Sequence, residues 1–276
     1  MQTESLELRS IKHPCYDNSA HYRYARIHLP VARRCNMSCN YCDRKFCKNT
    51  PDSERPGVAE RIVKPEEVAE YVRRIISRIP AETTTLGIAG PGEPLYNEET
   101  FESLRIVENL YPEMFKCVAT NGVLVEDRID ELVSCGVTHL TITINAVKPE
   151  TAAKIYSYVI YGGKKYTGVE AGELILERQY AGLREAASAG ILVKVNTVLI
   201  PGINDIEIAA VAKEISRYAY VMNIMPLIPL GRFSSLRKPT HEEVARARMA
   251  AGRYIRQFYH CRACRADAFG VPGSLR

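Results

Sequence analysis

Apolar positions recur along this chain in two rhythms. Val68, Tyr71, Val72, Ile75, Ile76 and Ile79 fall at i, i+3, i+4, i+7, i+8 and i+11, one stripe along a helix. Pro65 suits its first turn and Pro80 its stop. Short apolar runs at 26–31, 84–89, 117–120, 140–145, 192–199 and 221–226 predict strands. Helical patterns lie between them at 98–110, 126–134, 173–188 and 205–217, and a last helix starts at Thr240, where Thr-His-Glu-Glu243 forms a capping box. Alternation of this kind predicts a parallel sheet with right-handed crossovers. Six units in about 200 residues fall short of the ~250 of a complete eight-unit barrel. The expected fold is therefore α/β, a partial (β/α)6 TIM-like barrel over 25–228, with an N-terminal arm (1–24) and a C-terminal tail (229–276). In such a barrel the chemistry sits at the carboxyl ends of the strands.

Composition adds little until cysteine is counted. The 276 residues, 46% of them apolar, suffice for one large core. No run approaches the 18 or more apolar residues of a membrane span. The opening residues lack the charged and apolar regions of an export signal. The net charge of +5 is spread along the chain, with no zinc finger and no aromatic RNA-binding signature. Neither nucleic acid nor membrane is an expected partner, and the chain reads as a cytoplasmic globular protein without repeats. The nine cysteines change this picture. Their odd number, in a long chain without an export signal, predicts metal binding or catalysis rather than disulfides.

After the first strand comes Cys35-Asn-Met-Ser-Cys39-Asn-Tyr-Cys42, a Cys-x3-Cys-x2-Cys triplet. Three thiolates on one loop can hold three irons of a [4Fe–4S] cube and leave the fourth open to a small chelating molecule. A zinc site would need a fourth ligand to close its tetrahedron. Tyr41 supplies an aromatic face beside the open iron.

The triplet resembles the signature of the radical S-adenosylmethionine (SAM) enzymes. In those enzymes the open iron binds the amino and carboxylate groups of SAM, and one electron cleaves the sulfonium to a 5′-deoxyadenosyl radical. Gly90-Pro91-Gly92-Glu93-Pro94 follows the second strand and resembles the family's Gly-Glu-Pro motif, which contacts the SAM amino group. The resemblance assigns Asn145 and Asn196 to ribose and carboxylate contacts and the last strand, with Met225, to the adenine. Tyr41, Thr120, Thr143 and Val195 complete the implied cofactor-contacting set. Read on their own, Asn145 and Asn196 equally suit ordinary strand-end positions, and Met225 a core position.

Cys15 lies in the arm, in His13-Pro14-Cys15-Tyr16, and the pair Cys261-Arg262-Ala263-Cys264 lies in the tail. A Cys-x2-Cys pair alone suits zinc, redox chemistry or a cluster. Cys15 can supply a third ligand for a cluster. Cys47, beside Arg44 and Lys45, and Cys117, on the third strand, remain, with His21 as a third candidate. A histidine nitrogen can replace a thiolate on an iron–sulfur cluster, although His21 alone also reads as a structural histidine. Cys135, at the end of a predicted helix, reads as a buried free cysteine.

A more specific resemblance then emerges. His13-Pro-Cys-Tyr16, Cys39-Asn-Tyr-Cys-Asp-Arg-Lys45, Arg55-Pro-Gly-Val58, Ala119-Thr-Asn-Gly122, Thr141-Ile-Thr-Ile-Asn-Ala-Val147, Leu176-Glu-Arg-Gln179, the run from Lys194 to Asp205, Asn223-Ile-Met-Pro-Leu-Ile-Pro229 and His260-Cys-Arg-Ala-Cys-Arg-Ala-Asp267 resemble the NifB family, the nitrogenase-cofactor maturases. The likeness runs from about His13 to Asp267. It implies a carbide synthase that fuses two [4Fe–4S] precursors into an [8Fe–9S–C] cluster with an extra sulfur. One SAM donates a methyl group to a precursor sulfide, a second yields the radical that abstracts hydrogen from it, and deprotonation leaves the carbide.

The resemblance implies three [4Fe–4S] clusters: a catalytic one on Cys35, Cys39 and Cys42, one precursor on His21, Cys47 and Cys117, and the other on Cys15, Cys261 and Cys264. It implies a cluster donor, a reductant and a receiving carrier or NifEN-type scaffold as partners, in an anaerobic or oxygen-protected cytoplasm. Glu54 and Arg55 match the family's catalytic positions, with Asp52 as the alternative acid. The segment between Cys47 and Arg55 is longer than the common spacing, and no carrier-like domain follows the tail cysteines, so handover would use the barrel surface or a separate carrier. The competing readings are a radical SAM enzyme with auxiliary clusters acting on a peptide or small organic substrate, an iron–sulfur carrier or electron-transfer protein, and a zinc-binding structural protein.

Overall fold

The computed structural model describes residues 12–43, 55–79 and 83–274, so Cys47, Asp52, Glu54 and Pro80 lie outside the described residues. In chain order the strands are β1 (Ala25–His28), β2 (Met37–Cys39), β3 (Thr84–Ile88), β4 (Lys116–Thr120), β5 (Val137–Thr143), β6 (Tyr156–Tyr161), β7 (Lys164–Tyr166), β8 (Leu192–Leu199), β9 (Val221–Pro226) and β10 (Phe269–Gly270). The α-helices are α1 (Pro65–Ile76), α2 (Glu98–Leu110), α3 (Val125–Ser134), α4 (Pro149–Ile155), α5 (Gly168–Ser188), α6 (Ile208–Ile215) and α7 (His241–Ala251). Strands β1, β3, β4, β5, β8 and β9 pair in parallel in that order, with helices between them. The fold is the expected partial (β/α)6 barrel.

Alternation within the strands separates two interiors. On β8, Val193, Val195 and Leu199 belong to the apolar core between sheet and helices, which Val68 and Val72 of α1 also enter. Each such side chain contributes roughly 1.5–3 kcal/mol by leaving water. The intervening Lys194, Asn196 and Val198 take the opposite face, toward the barrel interior. That interior is unusually polar for a barrel, since Arg26, Thr85, His139, Thr141, Lys194 and Asn223 are all buried.

The predicted elements differ from the structure mainly at their ends. β1 stops at His28 because Pro30 has no N–H to continue a ladder. β5 ends at Thr143, which leaves Asn145 beyond the strand. α1 ends at Ile76, short of Ile79. α5 begins at Gly168 rather than 173, and α6 spans only Ile208–Ile215. The Thr240 capping box is present. Unanticipated are α4 and a three-stranded antiparallel sheet, β2-β6-β7, beside the barrel. Its β6–β7 hairpin turns at Gly162 and Gly163, whose φ values of 57° and 77° suit the two positive-φ positions of a tight turn.

β1 and β9 end the parallel run, and the tail after α7 runs along both. The amide of Phe258 donates to the Met222 carbonyl (2.8 Å) and that of Met222 to the Arg256 carbonyl (2.9 Å), on the β9 side. Further on, β10 pairs antiparallel with β1, and the His28 amide donates to the Ala268 carbonyl (2.8 Å). Cys261 and Cys264 lie between these anchors, on the strap joining the two edges of the barrel. Among the described residues no helix is long and apolar enough to cross a membrane.

Candidate functional site

At the carboxyl ends of the strands the chain into Cys35 is fastened to the Gly-Pro-Gly-Glu-Pro segment. Ala32 and Pro91 form a parallel bridge, the Gly92 amide donates to the Ala32 carbonyl (2.7 Å), and the Glu93 amide donates to the Arg34 carbonyl (2.9 Å). Buried Asn97 completes the fastening: its side chain accepts from the Arg33 and Arg34 amides and donates to the Arg34 and Glu93 carbonyls. A Cβ at Gly92 would run into the Arg34 backbone, so only glycine allows this approach. Cys39 then ends β2, and a turn closed by the Cys42 amide on the Cys39 carbonyl (3.1 Å) brings Cys42 round. The three half-buried cysteines, none in a disulfide, line one cavity of about 260 Å³.

Of the predicted cofactor contacts, Tyr41, Gly92, Glu93, Thr120, Thr143 and Met225 line this cavity. Gly90, Pro94, Asn145, Val195 and Asn196 are not part of its wall. Val195 faces the helices, because its strand parity is that of the outer core. Pro94 is buried in a short 3-10 turn, and Gly90 enters the motif at φ 117°. Asn145 stands behind the wall: its Nδ2 donates to the hydroxyls of Tyr41 (3.1 Å) and Tyr156 (2.9 Å), and its Oδ1 accepts from the Val198 amide (2.8 Å). It positions Tyr41. Asn196 accepts a hydrogen bond from Asn223 (3.0 Å). Arg55 also lines the cavity and makes a two-pronged pair with Asp43 (2.9 and 3.2 Å), clamping the residue after Cys42.

Glu93 gives the cavity its charge preference. The residue is 4% exposed, and burial pushes its carboxyl up to about 7. It accepts from the Thr120 hydroxyl (2.5 Å) and the amides of Asn121 (2.7 Å) and Leu95 (3.1 Å). A buried carboxylate on a cavity wall, held by neutral donors, fits a ligand carrying an ammonium or sulfonium. Three thiols on the same wall fit a cluster.

At the opposite, amino ends of the strands the N-terminal arm enters the barrel. Cys15 and Cys117 both pack against the Tyr16 and Phe258 cluster. The Tyr16 hydroxyl lies 3.4 Å from Thr141 Oγ1. Burial pushes the Cys15 thiol up to about 12; Lys194 draws it down, while Cys264, Cys261 and Cys117 push it further up. Arg26 donates from Nη2 to Cys264 Sγ (3.3 Å), and Cys261 is exposed. Among the described residues no three His, Cys, Asp or Glu side chains gather round a single metal ion. Cys135 is buried in the core.

His21 lies against the tail, its ring 5.5 Å from that of His260 and 5.8 Å from that of Phe258. Nδ1 lies 3.0 Å from the Pro14 carbonyl and donates to it, which leaves Nε2, buried and without a hydrogen-bond partner, as the bare nitrogen. Burial lowers its pKa, keeping the ring neutral. This is the tautomer a metal-ligating histidine adopts when a backbone carbonyl orients it. His21 thus lies against His260 and Phe258 of the tail, and Cys117 packs against the same Phe258 cluster. Sequence reasoning missed Asn97, Arg26, Lys194 and Tyr16. The signal for Lys194 is present: in a barrel both strand faces are buried, so a lysine alternating with Val193 and Val195 must point inward.

Comparison with known proteins agrees with this architecture. The radical SAM superfamily signature matches residues 29–215. The FeMo cofactor biosynthesis protein NifB of Methanocaldococcus infernus is 43% identical over 259 residues, 94% of this chain and 85% of that protein. The NifB of Methanocaldococcus jannaschii is 41% identical over 94% of this chain and 86% of its own length. The structure of Streptococcus suis SuiB superposes with a TM-score of 0.57 over 87% of this chain and 51% of that one, at 10% identity, a likeness of fold alone. The fold and the thiol-lined cavity are those of a radical SAM protein. The chain belongs to the NifB family within that superfamily. It is accordingly a radical SAM enzyme of FeMo cofactor biosynthesis, and superfamily membership brings a [4Fe–4S] cluster and SAM.

Proposed function

We propose that this enzyme fuses two [4Fe–4S] substrate clusters around one SAM-derived carbon, with an added sulfur, to make the [8Fe–9S–C] precursor of the nitrogenase cofactor. The observation that carries this reading is that Cys15 of the arm and Cys117 of β4 pack against one cluster, Tyr16 and Phe258, while Arg26 of β1 holds Cys264 of the tail, in the barrel whose opposite end carries the triplet. Cys35, Cys39 and Cys42 would hold the catalytic cluster, and Glu93 the SAM amino group. When bound, these groups supply one-electron cleavage of a sulfonium and a transferable methyl carbon.

The chain's own residues do the rest. Asn145 fixes Tyr41 on the cavity wall, Met225 gives that wall an apolar face, and the Arg55–Asp43 clamp holds the loop after Cys42. Cys15, Cys261 and Cys264 would bind one substrate cluster. His21, Cys47 and Cys117 would bind the other, a neutral nitrogen among the ligands easing its departure. Glu54 is the proposed proton acceptor on the methyl-derived carbon. A cluster donor and a reductant supply the enzyme, and a carrier or NifEN-type scaffold receives the product.

The test is to incubate reconstituted enzyme with SAM carrying a labelled methyl group and a reductant, then extract the iron–sulfur product. Label inside the extracted cluster is expected. Label found only in a peptide or small organic product would overturn the reading in favour of auxiliary clusters.

A further inference from the structure

The barrel base contains two buried cations, on β1 and β8, that face cysteines. Lys194 is 6% exposed. Its Nζ lies 3.2 Å from the Cys15 carbonyl, 5.2 Å from the ring centroid of Tyr16 and 5.7 Å from that of Phe258. An ammonium has three donors, and the Cys15 carbonyl uses one. Among the described residues no carboxylate forms an ion pair with Lys194. The titratable groups that feel its charge are Cys15, Cys117, His13 and His28. Neither histidine can supply a negative charge, since an imidazole is neutral or cationic.

Arg26, 2% exposed, donates to the Gly270 carbonyl (2.6 Å) and to Cys264 Sγ (3.3 Å), and its Nε has no hydrogen-bond partner. Lys116, buried in the same sheet, shows the ordinary solution, an ion pair with Glu108. A buried charge without a counter-charge is strongly unfavourable. Two aromatic faces offset only part of that. The missing counter-charge has to be an anion entering the barrel base, and a cube bound by thiolates is such an anion.

We infer that Lys194 and Arg26 form a cationic floor that receives an anionic iron–sulfur substrate cluster and holds it against the sulfurs of the barrel base. The inference rests on the reading of Cys15, Cys261 and Cys264 as cluster ligands. The two cations are positioning residues. They raise the local concentration of the substrate and stabilise its more reduced, more negative state.

The experiment reconstitutes the full chain anaerobically with iron and sulfide, in parallel with Lys194→Met, Lys194→Arg, Arg26→Gln and a Cys15→Ala/Cys264→Ala variant. Iron and acid-labile sulfide per chain, iron retained against a chelator, and reduction potentials followed by electron paramagnetic resonance are read out. Lys194→Met should lose at least tenfold in retention of the base-bound iron, and its remaining base signals should move to more negative potential. Lys194→Arg should restore both, and Arg26→Gln should act in the same direction more weakly. The iron held by Cys35, Cys39 and Cys42 should stay.

Without clusters, Lys194→Met should melt no lower than the wild-type chain, since an uncompensated charge has been removed. A cluster-free variant that melts well below wild type would assign the lysine a structural role and overturn the inference. So would wild-type iron retention and potentials in both Lys194→Met and Arg26→Gln. If the cysteine variant also keeps all its iron, the failure lies with the ligand reading; if that variant alone loses iron, the cationic floor alone fails.

Discussion

At the carboxyl ends of the strands, Cys35, Cys39 and Cys42 share one loop, and local hydrogen bonds from Gly92, Glu93 and Asn97 hold its entry. At the amino ends, Cys15, Cys117, Cys261 and Cys264 come from the arm, β4 and the tail. The first arrangement depends on a short stretch of chain meeting one neighbouring loop. The second exists only when the tail straps the barrel edges and the arm is tucked inside. The two sites should therefore fail independently, and substitutions can be chosen to break one and spare the other.

The largest such separation is expected from Phe258→Ala. Phe258 is buried against Tyr16, Cys15 and Cys117, and its amide anchors the tail to β9. The truncation should cost about 3–5 kcal/mol. Measured by denaturant melting and iron analysis, it should empty the base and leave the triplet's cluster in place. Gly92→Ala should do the reverse, because its Cβ meets the Arg34 backbone and pushes the triplet loop away from the Gly-Pro-Gly-Glu-Pro segment. We expect a loss of about 1–3 kcal/mol and of SAM-dependent chemistry, with base iron retained.

Glu93 sharpens the comparison by pH. Its folded pKa of about 7 lies above the ordinary 4.5, so its contribution to stability is full below 4.5 and is lost as pH rises through about 7. The SAM-free chain should accordingly lose melting temperature between pH 5 and 7.5. SAM affinity, measured by equilibrium dialysis, should move oppositely. It should rise by up to about tenfold per pH unit as Glu93 ionises toward pH 7, and level off above. Glu93→Gln should flatten both profiles.

The same division explains what could be read from the chain. Strands such as β8 and β9, and helix α2, match their predicted ranges because regular apolar spacing marks both ends. The triplet and Gly-Pro-Gly-Glu-Pro are contiguous, so their chemistry was legible as motif. β2, only Met37–Cys39, lies within the cysteine loop and has no period to read. The β6–β7 hairpin carries a signal of its own, Gly162-Gly163 after Tyr156–Tyr161, which the alternation of parallel units does not contain. The bond from Asn145 to Tyr41 behind the cavity wall and the outward direction of the Val195 side chain depend on tertiary pairing and strand parity, which position along the chain does not give. Lys194 is legible from its alternation with Val193 and Val195, whereas Arg26, on the four-residue β1, has too short a run to show which face it takes.

The most direct test of the account is anaerobic iron quantification with electron paramagnetic resonance on three triple-alanine variants, at Cys35/Cys39/Cys42, His21/Cys47/Cys117 and Cys15/Cys261/Cys264. Each should lose one cluster's worth of iron and one set of signals, with only the first losing 5′-deoxyadenosine release from SAM. Full iron in the Cys15/Cys261/Cys264 variant would contradict the claim that sulfurs from both termini build a cluster site at the base of the barrel.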